Sequence, residues 1–365
     1  MRVLQFSKRS VLTAVAVCVA LTGCGDSGPD VPFNPSGTTA DLEAVNSTFS
    51  SSTFASFSTF SLMFDAALGG TPLISASAAA MDVRGKDNAG MRAAAVRTAK
   101  RLAAVLPRAA QGGASASIAA IPAGVAGKTF VYSAGSYVVS DRTGAPANGV
   151  RFILYAVDAV TLAPVEPLVE TGYADLIDLS SGSTSAARVV VVSGETEYLN
   201  YTVAVSNTIS GGRVSVLGMV TDGVHEANIN LRATVTFNAG LTLTYGVDVP
   251  TRDFSLDITL VSSGLDTETG TIEITLDVRG SNGWIRMTGE FSGTGGTLNV
   301  SVSGRHFATI TAVGGGDPVI TGANGEFLSD QDLAALSAIF YMSEGAFASF
   351  DQMFIPVGGF LDPAM

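Results

Sequence analysis

Charge is scarce in this chain. Asp, Glu, Lys and Arg make up 14% of its 365 residues, against about a quarter in an ordinary soluble domain. The apolar share is an ordinary 47%, so the chain is not an acidic, disordered one. Two cysteines are too few for a disulfide scaffold or a multi-cysteine zinc site. Twenty basic against 32 acidic side chains leave a net charge of −12, which argues against a nucleic-acid partner, since phosphates are held by Lys and Arg. One Trp and eight Tyr are too few for the aromatic girdles of a lipid-facing barrel. No G-x-S-x-G elbow, H-E-x-x-H, C-x-x-C or phosphate-binding loop occurs. What fills the space left by charge is Ser, Thr and Gly, a composition suited to exposed strands and turns.

The first 23 residues read as an export signal. Met1 to Ser10 carries Arg2, Lys8 and Arg9, and an apolar run from Val11 to Leu21 follows. A basic start and about 7–15 apolar residues suit a secretory signal and are too short for a permanent bilayer span. The run ends in Leu21-Thr22-Gly23-Cys24. This motif, at this depth, resembles the lipobox of bacterial lipoproteins. The resemblance implies cleavage between Gly23 and Cys24 and acyl chains, palmitate among them, on Cys24. It implies that no thiol remains, because Cys18 leaves with the signal. Gly25 stands where inner-membrane lipoproteins carry Asp, so the resemblance favours the outer membrane, with a periplasmic or surface-exposed body. Acyl chains contribute about 0.8 kcal/mol per buried CH₂, so several of them anchor without a spanning helix.

Residues 24–40, with Pro29, Pro32 and Pro35, read as a tether. Thr39 or Asp41 is positioned to cap a Phe-rich helix over 41–68, with Leu42, Val45, Phe49, Phe57, Phe60 and Phe64 on one stripe. Residues 69–127 are rich in Ala and Gly. Within them, residues 84–108 hold seven basic side chains and one acid, a net +6, whereas 109–365 hold ten basic against 25 acidic, a net −15. This basic stretch suits a helix on anionic lipid, a segment folded back on the acidic body, or a disordered linker.

Residues 128–315 alternate apolar and polar over runs of seven to ten. Ile229, Leu231, Ala233 and Val235 oppose Asn230, Arg232 and Thr234; Phe254, Leu256, Ile258 and Leu260 oppose Asp257 and Thr259. Ile272 to Val278 and Leu298 to Val302 repeat the pattern. Period two means strands with one buried face. About a dozen or more strands are expected, joined by short turns such as Asp222-Gly223 and Asn238-Ala239-Gly240, which connect antiparallel neighbours. The expected fold is therefore mainly β: a long, curled, antiparallel up-and-down meander, open or closed like a barrel, flanked by N- and C-terminal amphipathic helices. Gly218, Gly246 and Gly289 mark candidate bends. Residues 329–355 return as a helix bearing Leu333, Leu336, Ile339, Phe340 and Phe350, its start capped by Asp330 or Asp332. The pair Phe54-Ala55-Ser56-Phe57 and Phe347-Ala348-Ser349-Phe350 makes the two helical ends echo each other.

The helix–meander–helix order resembles, in architecture, open-barrel bacterial lipoproteins and lipoprotein carriers of the LolA and LppX type. That resemblance implies an apolar cavity between sheet and helices for a lipid or other hydrophobic ligand, with Phe57, Phe60, Phe64, Phe340 and Phe350 as candidate lining. The competing expectation is that these rings fill the space, leaving a structural or interaction module that meets an envelope protein through its polar loops. No catalytic residue, cofactor or metal site is expected. His225 and His306 lie near strand ends, and the carboxylates of Asp266 and Glu268 and of Glu195 and Glu197 read as polar turns.

Overall fold

Alternation becomes strand across the whole central region. The computed structural model describes residues 33–49, 53, 56–57, 121–158, 164–208, 211–236, 240–264, 270–280, 283–292, 294–313, 319–339, 353–354 and 357. Contacts set Met1–Pro32 apart from Phe33–Met365, and every described residue belongs to the second unit. Among the described residues, fifteen strands form one open sheet. They are β1 (Lys128–Ser133), β2 (Ser136–Ser140), β3 (Gly149–Tyr155), β4 (Glu170–Asp178), β5 (Thr184–Ser193), β6 (Thr196–Thr208), β7 (Gly211–Thr221) and β8 (Glu226–Thr236). After these come β9 (Gly240–Val249), β10 (Phe254–Ser263), β11 (Thr271–Gly280), β12 (Gly283–Ser292), β13 (Gly295–Val302), β14 (Arg305–Val313) and β15 (Val319–Gly322).

From β3 to β15 each strand pairs antiparallel with its successor, as expected of a meander. The first three strands depart from it. The sheet ends in the order β3-β1-β2, with β1 parallel to β3 through Lys128–Phe130 and Val150–Phe152. Aromatic packing holds this edge: Phe130 stacks on Phe152 at 4.8 Å, Tyr137 meets Phe152 edge-on at 5.4 Å, and the Tyr137 hydroxyl donates to the Ile153 carbonyl at 2.7 Å. Stacked and edge-on rings add attraction beyond the area they bury, which compensates for a parallel ladder of three pairs.

One face of the sheet is buried along nearly its full width. Ala227, Ile229, Leu231 and Ala233 of β8 and Ile272, Ile274, Leu276 and Val278 of β11 point inward, and they belong to a single core with residues of the flanking helices. Burying so broad a face requires a curled sheet, because an open, flat one would leave most of it wet.

The N-terminal helix, α1 (Pro35–Phe49), begins earlier than the Thr39 or Asp41 start expected above, so residues 35–40 are helix rather than tether. The reason is local. Asn34 precedes the helix and accepts the Gly37 N–H on its side-chain oxygen at 3.1 Å, while Pro35 occupies the first helical position, where its fixed φ fits and its missing N–H costs nothing. Thr38 and Thr39 donate their hydroxyls back to Asn34 and Pro35 carbonyls. Leu42, Val45 and Phe49 are buried as the stripe predicts, and Asp41 is buried beside them.

A second helix, α2, covers residues 330–339. Ser329 and Asp332 form a reciprocal box at its start: the Ser329 hydroxyl and N–H donate to Asp332 Oδ2 at 2.7 and 3.0 Å, and the Asp332 N–H donates to Ser329 Oγ at 3.1 Å. Asp332 thus serves in capping from inside the helix, and Ser329 is the cap. Leu336 and Ile339 are buried, as are Met353, Phe354 and Val357 further on.

Candidate functional site

Gly23, Cys24, Phe60, Phe64, Phe340 and Phe350 lie outside the described residues, as do residues 69–120 and the turn bearing Asp266 and Glu268. Phe57 is described, and it points inward. Its side chain is fully buried and meets Tyr201 of β6 edge-on, with ring centroids 6.3 Å apart. Tyr201 is itself buried, and its hydroxyl donates to the Met353 carbonyl at 3.0 Å. Burial pushes the Tyr201 phenol pKa well above its ordinary value. The sheet, the N-terminal helical segment and the C-terminal one therefore meet at one side chain.

Among the described residues, a small recess lies between α1 and the sheet, bounded by Thr38, Asp41, Phe254, Gly280, Gly283 and Ile285. It encloses about 10 Å³, the room of roughly one water molecule.

The turns β7–β8, β9–β10, β11–β12 and β13–β14 fall at one end of the strands, and α1 lies along this rim. Phe33 packs on Phe307 of β14 at 5.1 Å. Asp41, with its side chain 5% exposed, accepts from Arg252 Nε at 3.0 Å in the turn before β10. Ser47 donates to Asp222 Oδ2 at 2.9 Å after β7. Fifteen residues of helix extend about 22 Å, whereas seven strand spacings cover about 34 Å along a flat sheet. The curl of the sheet and the reach of the two Phe rings bring these contacts within the length of one short helix.

Asp222 is the centre of the rim's polar contacts. Its Oδ1 accepts the Val224 and His225 N–H groups at 2.8 and 2.7 Å, and its Oδ2 faces His225 Nδ1 at 3.5 Å. Burial raises its pKa, but those N–H groups, Ser47 and the His225 ring outweigh burial, and the net pKa falls to about 2. Ser, Asp and His thus come together, yet in the wrong order for nucleophilic chemistry. The carboxylate sits between the serine and the histidine, and the histidine is not in reach to take the serine's proton. The geometry ties a turn to a helix. His306, the other histidine, is exposed and faces Thr309 Oγ1 at 3.4 Å. Among the described residues no three His, Cys, Asp or Glu side chains converge to hold a metal ion, and no helix is long and apolar enough to cross a membrane.

On the outer face, Asp257 of β10 stands directly opposite Asp277 of β11. Asp277 accepts two bonds from Arg286, at 2.7 and 2.8 Å, and one from Trp284 Nε1 at 2.9 Å. Arg286 holds the Asp277 pKa below its ordinary value against the opposing effect of burial, and Trp284 adds to the lowering. Arg286 also stands 4.7 Å over the Trp284 ring. This arrangement was not visible beforehand, because the register that puts Asp277 between Asp257 and Arg286 is a pairing property, whereas the alternation shows only which face each residue takes. Glu195 falls in the β5–β6 turn as expected, but Glu197 does not: it is a residue of β6, opposite Val192 of β5, where it accepts from Asn200 at 2.6 Å.

Compared with protein-family models, with curated proteins and with solved structures, the chain matches none.

Proposed function

We propose that the protein is an exported, lipid-anchored lipoprotein of the cell envelope, attached through Cys24 to the outer membrane, and that it acts without catalysis as a structural or interaction module. The lipobox-like Leu21-Thr22-Gly23-Cys24 directly after the apolar run supports the anchor. The observation that favours a module over a carrier is the interior: Phe57, the candidate lining residue that is described, is fully buried against Tyr201. A ring sealed into the core contributes nothing to a lipid cavity. The recess beside α1 is too small for an acyl chain. The faces left for recognition are the turns and the Thr-, Asp- and Asn-rich outer side of the sheet, suited to an envelope protein partner.

Replacing Cys24 by Ser tests the anchor. Expressed in a host that processes lipoproteins, the wild-type protein fractionates with membranes and carries acyl mass on Cys24, and the C24S protein is released. Retention of C24S in the membrane fraction overturns the reading. Native mass spectrometry of the released protein tests module against carrier, and a stoichiometric co-purifying lipid restores the carrier.

A further inference from the structure

The rim that carries α1 also carries the most exposed apolar side chain of the described surface. Phe327, in the loop between β15 and α2, is 102% exposed, and Val224, in the β7–β8 turn, is 77% exposed. They flank the two ends of α1. Val224 follows Asp222, which accepts from Ser47 near the helix C-terminus. Phe327 lies beside the N-terminal end: Ala308 pairs with Gly322, an added Cβ at Gly322 would touch the Glu326 carbonyl and Leu328, and Phe307, next to Ala308, packs on Phe33. Between the two tips the outward stripe of α1 is Ser36, Ala40, Glu43 and Asn46, with one charge in four.

Phe33, the first described residue, sits at this rim against Phe307. Phe33 is nine residues after Cys24, and nine extended residues reach at most about 30 Å. Acyl chains on Cys24 would therefore keep the Phe33 corner, and the Phe327 loop beside it, close to the bilayer surface. Two apolar tips separated by about one helix length, with polar side chains between, make a poor continuous protein interface, which needs a contiguous patch. They suit a lipid surface, into which isolated apolar side chains dip between headgroups. The exposed charges at this rim, including Glu43, Asp253, Glu326 and Arg305, are mostly acidic, so the contact is apolar rather than electrostatic.

We infer that this rim is a membrane-facing surface, with Phe327 inserted into the headgroup region of the bilayer that holds the lipid anchor. The inference rests on the lipid-anchor reading. In that reading Phe327→Cys carries the one free thiol of the mature chain. The lipidated full-length protein, labelled at F327C with an environment-sensitive fluorophore, is reconstituted into phosphatidylcholine vesicles. Label at V261C, on a strand end at the opposite rim, is the control. The expected result is a blue shift at position 327 and several-fold quenching there by headgroup-level spin-labelled lipid, at low and high salt alike, with neither at 261. Acylated protein that floats with vesicles while the label at 327 stays aqueous overturns the docking and leaves the anchor standing. Equal quenching at both positions overturns the choice of rim. Absence of acyl mass on Cys24 overturns the anchor reading and the docking with it.

Discussion

The Tyr201 hydroxyl donates to the Met353 carbonyl across 152 positions of sequence, at 3.0 Å, inside a fully buried environment. A phenol in the middle of β6 thereby fixes where the C-terminal helical segment lies, and the edge of Phe57 does the same for the N-terminal one. Tyr201→Phe leaves a buried carbonyl without its donor and costs about 1–3 kcal/mol. Phe57→Ala removes a buried ring and costs about 3–5 kcal/mol. Urea denaturation of the two single variants and the double measures both. Because Phe57 packs on the same ring, the double variant falls short of the sum of the singles. Full additivity would mean that the two helical ends dock independently.

Gly218 in β7 stands opposite Tyr201, and a Cβ built on it would lie 2.1 Å from the Asn200 carbonyl oxygen and 2.3 Å from the Tyr201 Cα. Any side chain there pushes β6 away from β7 at the point where the sheet is anchored to its helices. Gly218→Ala is expected to destabilise by about 1–3 kcal/mol, the usual cost of overpacking, and Gly218→Val by more. The alternating Gly246, where the nearest atom is a side-chain oxygen of Asp257 at 3.1 Å, tolerates Ala better. Thermal unfolding of the three variants ranks them, and equal melting temperatures would remove Gly218 from the docking argument.

The strands were legible because alternation is a local property written over seven to ten residues, as in Phe254–Leu260 and Ile272–Val278, and the buried face followed at once. The exceptions are those in which partner choice, rather than pattern, decides. The β1–β3 parallel pairing depends on Phe130 meeting Phe152, 22 positions away, and no periodicity announces it. Pro35 reads as a breaker in a proline-containing stretch but is the first residue of α1, because Asn34 caps it. Asp41 looks like a cap and is instead a buried partner of Arg252, 211 positions on. At the candidate site, the sequence places Phe57 on an apolar stripe, and Phe57 is buried. Its burial against Tyr201 could not be read, since a stripe on a helix is the same whether it lines a cavity or fills one.

Like charges directly opposite on adjacent strands repel, and Asp257 and Asp277 stand so. Arg286 relieves this by holding Asp277 in a two-pronged bond. Arg286→Ala is therefore expected to lower the melting temperature. The second substitution Asp257→Asn is expected to recover part of that loss, while Asp257→Asn alone in the wild-type background has a smaller effect. Melting curves of the single and double variants check the coupling. No recovery in the double would show that Arg286 acts through its contact with Trp284 instead.

Asp222 sets the acid dependence of the rim. Its pKa in the folded chain is about 2, below the unfolded carboxylate value of about 3.9. A depressed carboxylate stabilises the fold fully above the unfolded pKa, and that contribution is lost as pH falls through the folded one. The window is therefore about pH 4 down to about pH 2, and the size, after solvent screening of a partly exposed group, is on the order of 1 kcal/mol. Asp222→Asn keeps a side-chain oxygen for the Val224 and His225 N–H groups but removes the charge. The wild type is expected to exceed D222N in stability at pH 6 and to converge with it near pH 2, as read by denaturant titrations across that range. Ser47→Ala removes a donor that favours the charged form and shifts the midpoint of convergence upward. A stability difference that does not change with pH would mean that the carboxylate acts through its shape alone.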